Sequence, residues 1–329
     1  MRLSMLAMLG FLAFSHAGSY KGITDAWSFN LDTFDQTAWM STLGDDVPLT
    51  SLSIPGTHHS MTDNIEDDSM QTQNMPLLKQ LHGGIRYIDI TCRYTDDSMM
   101  VYNGRVNTGY SLEDVLTTLF DFLDAQPSEA IILRIQKGGI PSPSTAFLDS
   151  MEKHFVPGSK IGDRAVQKIY SSNTDGIAIP TLGDARGKVL VLQDFNTSPP
   201  GRYGIPWDLG AVSGYNYRPD SSNLLLTLKW AIVKTRISQS RANDYDKLRI
   251  TYATAGIVKN GFGYGMNWLL GRYIMFEEGD CFGIIVMDFP GCDVVQQILL
   301  LNAQYRVARL PDVPSDQSAT TAVEDVHTD

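Results

Sequence analysis

Short apolar runs alternate with amphipathic stretches along most of the chain. Leu52-Ser53-Ile54 ends a predicted buried strand at Pro55-Gly56, because proline cannot donate to a ladder and glycine permits a sharp turn. Met75 to Leu81 predicts a helix, with Gly83-Gly84 suited to its C-terminal cap. Ile85 to Arg93, rich in β-branched and aromatic residues, reads as a second strand. A turn at Asp96-Asp97 leads to a third, Met99 to Tyr102. From Ser111 to Asp124 the pattern is helical: Ser111 suits the N-cap, and Leu112, Val115, Leu116, Leu119, Phe120 and Leu123 form one apolar stripe. Further strands are predicted at Ala130 to Ile135, Lys188 to Leu192, Leu248 to Thr254 and Gly283 to Met287, with helices at Thr145 to Phe155 and Asp293 to Val307. Residues 196–247 are the least regular and are predicted to form long loops.

Strands alternating with helices call for parallel pairing with right-handed crossovers. Seven such strands favour an α/β fold of the TIM-type barrel, irregular or incompletely closed. An open doubly wound sheet fits less well, since no glycine-rich phosphate fingerprint follows the first strand.

Composition narrows the partners. A net charge of −11 over 329 residues excludes nucleic acid, which needs a basic face. A basic start, an apolar run from Leu3 to Phe14, and Ser15-His16-Ala17 read as a signal peptide over residues 1–17, so secretion is expected. One barrel domain is expected over 18–310, and the polar, acidic 311–329 is expected to be disordered. In an oxidising compartment Cys281 and Cys292 are candidates for a disulfide, while Cys92 lies in an apolar strand pattern. Tyr203, Trp207, Tyr215 and Tyr217 are candidates either for an aromatic patch in transient contact with a membrane surface or for buried core.

The chemistry gathers at strand ends. Ligands bind at the C-terminal ends of parallel strands. There the sequence places His58 and His59, Thr91 and Arg93, Asn103 and Arg105, Gln136 and Lys137, Asp194, and Asp288. Tyr252, on the sixth strand, joins the candidates for substrate contact. A histidine oriented by a carboxylate, beside cations, is the minimum needed to move a proton while stabilising an anion. That suits phosphodiester cleavage, although Asp288 and the arginines are equally suited to structural ion pairs. His82 and His154 lie in helical stretches, and no HxH or HExxH spacing suggests zinc.

Several motifs then coincide in order: Ser53-Ile-Pro-Gly-Thr-His58, Gly84-Ile-Arg-Tyr-Ile-Asp89, Thr95-Asp-Asp97, Ser128-Glu-Ala-Ile-Ile132 and Leu182-Gly-Asp-Ala-Arg-Gly-Lys188. Over residues 47–195 the sequence resembles the X domain of phosphatidylinositol-specific phospholipase C of the small bacterial, secreted type. From 248 to 308 the resemblance is thinner and rests on Val286-Met-Asp288-Phe. It implies an irregular TIM-type barrel acting on a phospholipid or other phosphodiester. It implies that His58 is the general base, taking the proton of the inositol 2-hydroxyl, which attacks phosphorus to give a cyclic phosphate. Asp288 is implied to orient that base, and Asp89 matches an acidic position of the family.

The departures are specific. The family's Asp after the base histidine is His59 here, and its active-site Arg falls at Thr91. Its second histidine, the general acid, falls at Asn103; a lysine falls at Gln136 and an inositol-contacting Arg at Asp194. Calcium-dependent relatives carry acidic ligands on these strands. With Asp89 alone in place calcium is weakly supported, and no cofactor or metal is expected. Two readings remain open. In one, a rewired phosphodiesterase uses His59 as the acid, Asn103 as its partner, and Arg93 or Arg105 for the missing Arg. In the other, an inactive barrel binds inositol-lipid or phosphorylated head groups.

Overall fold

A computed structural model describes residues 17–140, 143–171, 178–208, 210–215, 223–240, 246–254, 262–276 and 281–307. The signal peptide read at 1–17, but for its last residue, and the acidic tail lie outside the described residues. A small hairpin, β1 (Gly18–Tyr20) and β2 (Ile23–Asp25), precedes the barrel. Then follow β3 (Ile54–Thr57), α1 (Leu77–His82), β4 (Tyr87–Thr95), β5 (Ser98–Asn103), β6 (Val106–Ser111), α2 (Leu112–Ala125) and β7 (Ile131–Lys137). The chain continues through α3 (Thr145–Phe155), α4 (Lys160–Lys168), α5 (Leu182–Ala185), β8 (Val189–Asp194), β9 (Ile205–Pro206) and β10 (Val212–Tyr215). It closes with α6 (Asn223–Ser240), β11 (Leu248–Ala253), α7 (Phe262–Ile274), β12 (Ile284–Met287) and α8 (Cys292–Leu300).

Eight strands pair in parallel in the order β10-β11-β12-β3-β4-β7-β8-β9. Among the described residues β9 and β10 do not pair, so the barrel is nearly closed, as the strand pattern implied. Side chains alternate between two cores. Ile54, Tyr87, Ile132, Leu190, Leu192, Ile250, Ile284 and Val286 fill the interior. Ile88, Ile90, Leu133, Ile135, Val191 and Ile285 pack outward with the stripe of α2. Ser111 caps α2 in a reciprocal box with Asp114.

Four expectations are corrected. The strand before His58 does not stop at Pro55-Gly56 but runs to Thr57. Gly56 is there for closeness, since a Cβ would lie 2.8 Å from the Tyr87 Cβ. The stretch 99–102 is not a barrel strand. Asp96 and Asp97 both take positive φ, making a two-residue turn that folds β5 antiparallel onto β4, with β6 beyond it. The long loops expected over 196–247 give way in part to α6, whose buried row of Lys229, Val233 and Ile237 includes a lysine where an apolar residue was sought. Finally, Cys281 and Cys292 are buried and not joined by a disulfide. They flank β12 at opposite ends, and its four residues span roughly 13 Å, well beyond the reach of a disulfide.

Candidate active site

The inward row of each strand continues past the apolar interior into polar residues at the C-terminal mouth. On β4 it runs Tyr87, Asp89, Thr91; on β7, Ile132, Arg134, Gln136; on β8, Leu192, Asp194. His58 and Asp288 come directly after β3 and β12, which pair in parallel. Residues 230 apart in sequence therefore meet: His58 Nδ1 lies 2.9 Å from Asp288 Oδ1, and both side chains are buried. A carboxylate only accepts, so Nδ1 carries the hydrogen, and in the neutral imidazole the lone pair is then on Nε2. Nε2 is buried and makes no hydrogen bond among the described residues.

Two amides that no sequence signal marked fix this pair. The Gln73 side-chain nitrogen donates to the carbonyls of His58 (2.9 Å) and Met287 (3.0 Å), clamping the ends of β3 and β12 together. Asn267, on α7, donates to the Asp288 carbonyl (2.9 Å) and to Ser28 Oγ (3.0 Å). His59 takes φ 41°, a conformation uncommon outside glycine, and its ring centroid lies 4.1 Å from that of His58.

Beside the histidines lies a second cluster, centred on Arg134. Its Nη1 donates to Asp89 Oδ1 (3.1 Å) and to the Tyr252 hydroxyl (2.8 Å). Its Nε and Nη2 both donate to Asp194 Oδ2, at 3.1 and 2.5 Å. The guanidinium carbon stands 4.1 Å from the Trp207 ring centroid. Tyr252 donates to Asp89 Oδ2 (3.1 Å) and turns its ring edge-on to His58 at 5.6 Å. Burial, and then Asp89, push the Tyr252 phenol far up, so it stays protonated. Burial disfavours the Arg134 charge, but its surroundings, Asp89 foremost, more than offset it. Sequence reading passed over Arg134 because it stands inside the apolar run Ile131 to Ile135. Its inward parity with Gln136 was the available signal.

The other candidates are placed as follows. Thr91 Oγ1 donates to Gln136 Oε1 at 3.2 Å. Arg93 continues the inward row of β4, donates to the Gly104 carbonyl and lies over the Tyr102 ring. Gly138 leaves it room, since a Cβ there would stand 2.7 Å from Arg93 Nε. Asn103 donates to the Met70 carbonyl, 2.5 Å away. Arg105 is exposed on the β5–β6 turn, and Lys137 folds back onto the carbonyls of Gly138 and Ile140. Tyr203 is buried with its hydroxyl on Glu152, and Trp207 is half-buried against the Arg134 guanidinium. The Tyr215 side chain and Tyr217 lie outside the described residues. Among the described residues no group of three His, Cys, Asp or Glu is placed to hold a metal ion. Both oxygens of Asp89 are already used by Arg134 and Tyr252.

The loop from β3 to α1 covers one side of the mouth and carries Asp63. Its Oδ2 accepts from Tyr110 at 3.2 Å, but Oδ1 is buried without a hydrogen bond among the described residues. Burial lifts this carboxyl above its ordinary range. The folded state thus holds the proton more tightly than the unfolded one. The stabilisation this brings is full below the ordinary carboxylate pKa of about 3.9 and is lost as pH rises through the raised value. Asp63→Asn is therefore expected to melt higher than the wild type at pH 7, the gap closing near pH 3. Equal melting points at both pH values would contradict this.

A nearly closed parallel barrel with a buried His–Asp pair at its C-terminal mouth is the architecture in which barrel enzymes place their chemistry. The profile described as "Phosphatidylinositol-specific phospholipase C, X domain" matches residues 47–194. A 1-phosphatidylinositol phosphodiesterase of Listeria monocytogenes is 30% identical over 281 residues, covering 80% of this chain and 84% of that one. One of Staphylococcus aureus is 28% identical over 159 residues, covering 46% of this chain and 49% of that protein. The solved phosphatidylinositol-specific phospholipase C from Listeria monocytogenes superposes with a TM-score of 0.71 at 26% identity, covering 82% of this chain and 99% of that one. The chain belongs to the phosphatidylinositol-specific phospholipase C family.

Proposed function

We propose that the protein cleaves the phosphodiester of an inositol phospholipid, with His58 as general base. The observation that carries this is the buried His58–Asp288 pair, 2.9 Å apart, with Nε2 left to take a proton. Asp288 fixes the tautomer and stabilises the imidazolium that forms. His58 takes the proton of the hydroxyl next to the phosphoester, and that oxygen attacks phosphorus. A cyclic phosphate forms as the glycerol oxygen leaves. A module that only binds head groups needs no such oriented base.

The leaving oxygen needs a proton. His59, its ring centroid 4.1 Å from that of His58 and tilted 37° to it, is the proposed acid, and Arg93 the proposed cation at the phosphate. His59→Ala is expected to lower turnover by about 10²–10⁴-fold. A rate within threefold of wild type in the folded variant would remove His59 from the mechanism. We also propose secretion, from the leader read in the sequence, and transient docking of the mouth on lipid. No helix among the described residues is long and apolar enough to cross a membrane. Ile140 stands 77% exposed on the loop after β7, at the mouth, where it is available to an interface.

A further inference from the structure

We infer that the N-terminal segment, residues 18–30, is a strap that positions the His58–Asp288 pair, with Tyr20, Phe29 and Phe289 as positioning residues. The inference rests on the phosphodiester-cleaving reading above and extends its machinery to a part of the chain outside the barrel.

Phe289, the residue directly after Asp288, is the starting point. Its φ is 48°, and that of Phe29 is 72°. This left-handed region is strained for a bulky side chain and persists only where the surroundings hold it. Here the two residues hold each other. Phe29 donates its main-chain N–H to the Phe289 carbonyl (3.2 Å), and their ring centroids lie 5.6 Å apart. Tyr20 completes the cluster, its ring centroid 5.9 Å from each of the other two. Phe289 in turn donates its N–H to the Thr72 carbonyl (2.8 Å). The peptide groups on both sides of Phe289 are therefore fixed from outside β12, and with them the direction in which Asp288 leaves the strand toward His58. A connection that led only from β12 to α8 would have no use for strain placed next to the carboxylate.

The strap reaches the histidine as well, through three consecutive residues of the mouth loop. The Tyr20 hydroxyl donates to Gln71 Oε1 at 2.8 Å, and Lys21 Nζ donates to the same oxygen at 2.8 Å. Gln71 Nε2 donates to the Asp63 carbonyl at 2.9 Å, tying the loop across itself. The Thr72 hydroxyl donates to the His58 carbonyl at 2.7 Å, while the Thr72 carbonyl takes the Phe289 N–H. Gln73 then clamps the ends of β3 and β12. Both members of the pair are thus followed by a left-handed residue, His59 and Phe289, and Thr72 is bonded on both sides. Tyr20 is joined to this brace twice, by its ring to Phe289 and by its hydroxyl to Gln71. Catalytic groups must be held in productive geometry by such supports, because a small displacement costs rate without costing the fold.

The test uses the full chain with Tyr20→Ala, Tyr20→Phe and Phe289→Ala, none of which alters a barrel strand. Measurements of kcat and KM on phosphatidylinositol are made beside the proton NMR signal of His58 Nδ1–H, identified as the downfield resonance missing from His58→Ala. Near-UV circular dichroism and urea melts establish that each variant is folded. Tyr20→Ala and Phe289→Ala are expected to lower kcat about tenfold with KM little changed, the cost of a pair held slightly out of place. Both are expected to shift or broaden the Nδ1–H signal. Tyr20→Phe keeps the ring and loses only the bond to Gln71, so it is expected to recover most of the rate, to about threefold below wild type, and it carries the test if the truncations unfold. An unmoved signal in folded Tyr20→Ala or Phe289→Ala would overturn the inference, as would a kcat within about twofold of wild type or a change confined to KM. The signal reports the pair without turnover. A wild type whose signal moves with Tyr20→Ala but which yields no product would overturn the catalytic reading and leave the strap's hold on the pair standing.

Discussion

His58→Ala is expected to lower the turnover of phosphatidylinositol by about 10²–10⁴-fold, the usual contribution of a positioned general base. The imidazole is 5% exposed and Asp288 3%, so bulk water has little access to replace it. The truncation also leaves the Asp288 carboxylate buried beside the space the ring filled, and stability must be followed with rate. Asp288→Asn separates the two effects. It keeps the shape at Oδ1 but no longer demands a hydrogen on Nδ1, so the tautomer with its lone pair at Nε2 loses its preference. Its rate is expected to fall steeply while its urea midpoint moves little. Initial rates on phosphatidylinositol micelles, with matched urea melts, measure both. A rate within tenfold of wild type in folded His58→Ala would remove the base from the mechanism.

The largest effect on stability is expected at the other end of the barrel. Arg86 and Glu129 form an ion pair with 0% side-chain exposure on both partners. Arg86 Nε and Nη2 both donate to Glu129 Oε2, at 3.0 and 2.7 Å. The remaining donors reach the carbonyls of Leu81, Ile85 and Thr37, and the Met40 amide also donates to Glu129. Burial pulls the Arg86 pKa down and Glu129 holds it up, so the pair depends on both members. Glu129→Ala leaves an uncompensated buried guanidinium and is expected to cost about 3–5 kcal/mol. Replacing both, as Arg86→Met with Glu129→Leu, is expected to cost less than either single truncation, because no charge is then stranded. Urea denaturation of Glu129→Ala, Arg86→Ala and the double replacement decides it. A single truncation costing under 1 kcal/mol would show that water reaches the pair.

How far the sequence could be read depended on where each side chain's partners lie. His58 and Asp288 could be placed because both follow apolar strand runs, and parallel strands gather their C-terminal ends at one rim. The alternation that fills the interior also governed Asp89, Thr91 and Asp194. Arg134 obeys the same alternation, yet a charged residue inside Ile131 to Ile135 was read as part of a buried strand; its pairing with Asp194, 60 residues on, exists only in the folded chain. Gln73 and Asn267 could not be found, because their work is to bind main-chain carbonyls of remote strand ends, and no spacing reports that. The helix α6 escaped for a related reason, since Lys229 stands in its buried row and donates to Thr254 of the rim. Three cysteines suggested a bridge, but spacing does not encode which end of a strand each one flanks.

We expect this altered site still to perform phosphodiester chemistry. Phosphorus NMR of the purified full chain with phosphatidylinositol micelles, with EDTA and with added calcium, tests it most directly. The expected result is a cyclic inositol phosphate signal that grows with time and is absent with His58→Ala. No phosphorus product under any of these conditions, from a folded protein that still binds inositol lipid, would contradict the claim and leave a barrel that only binds.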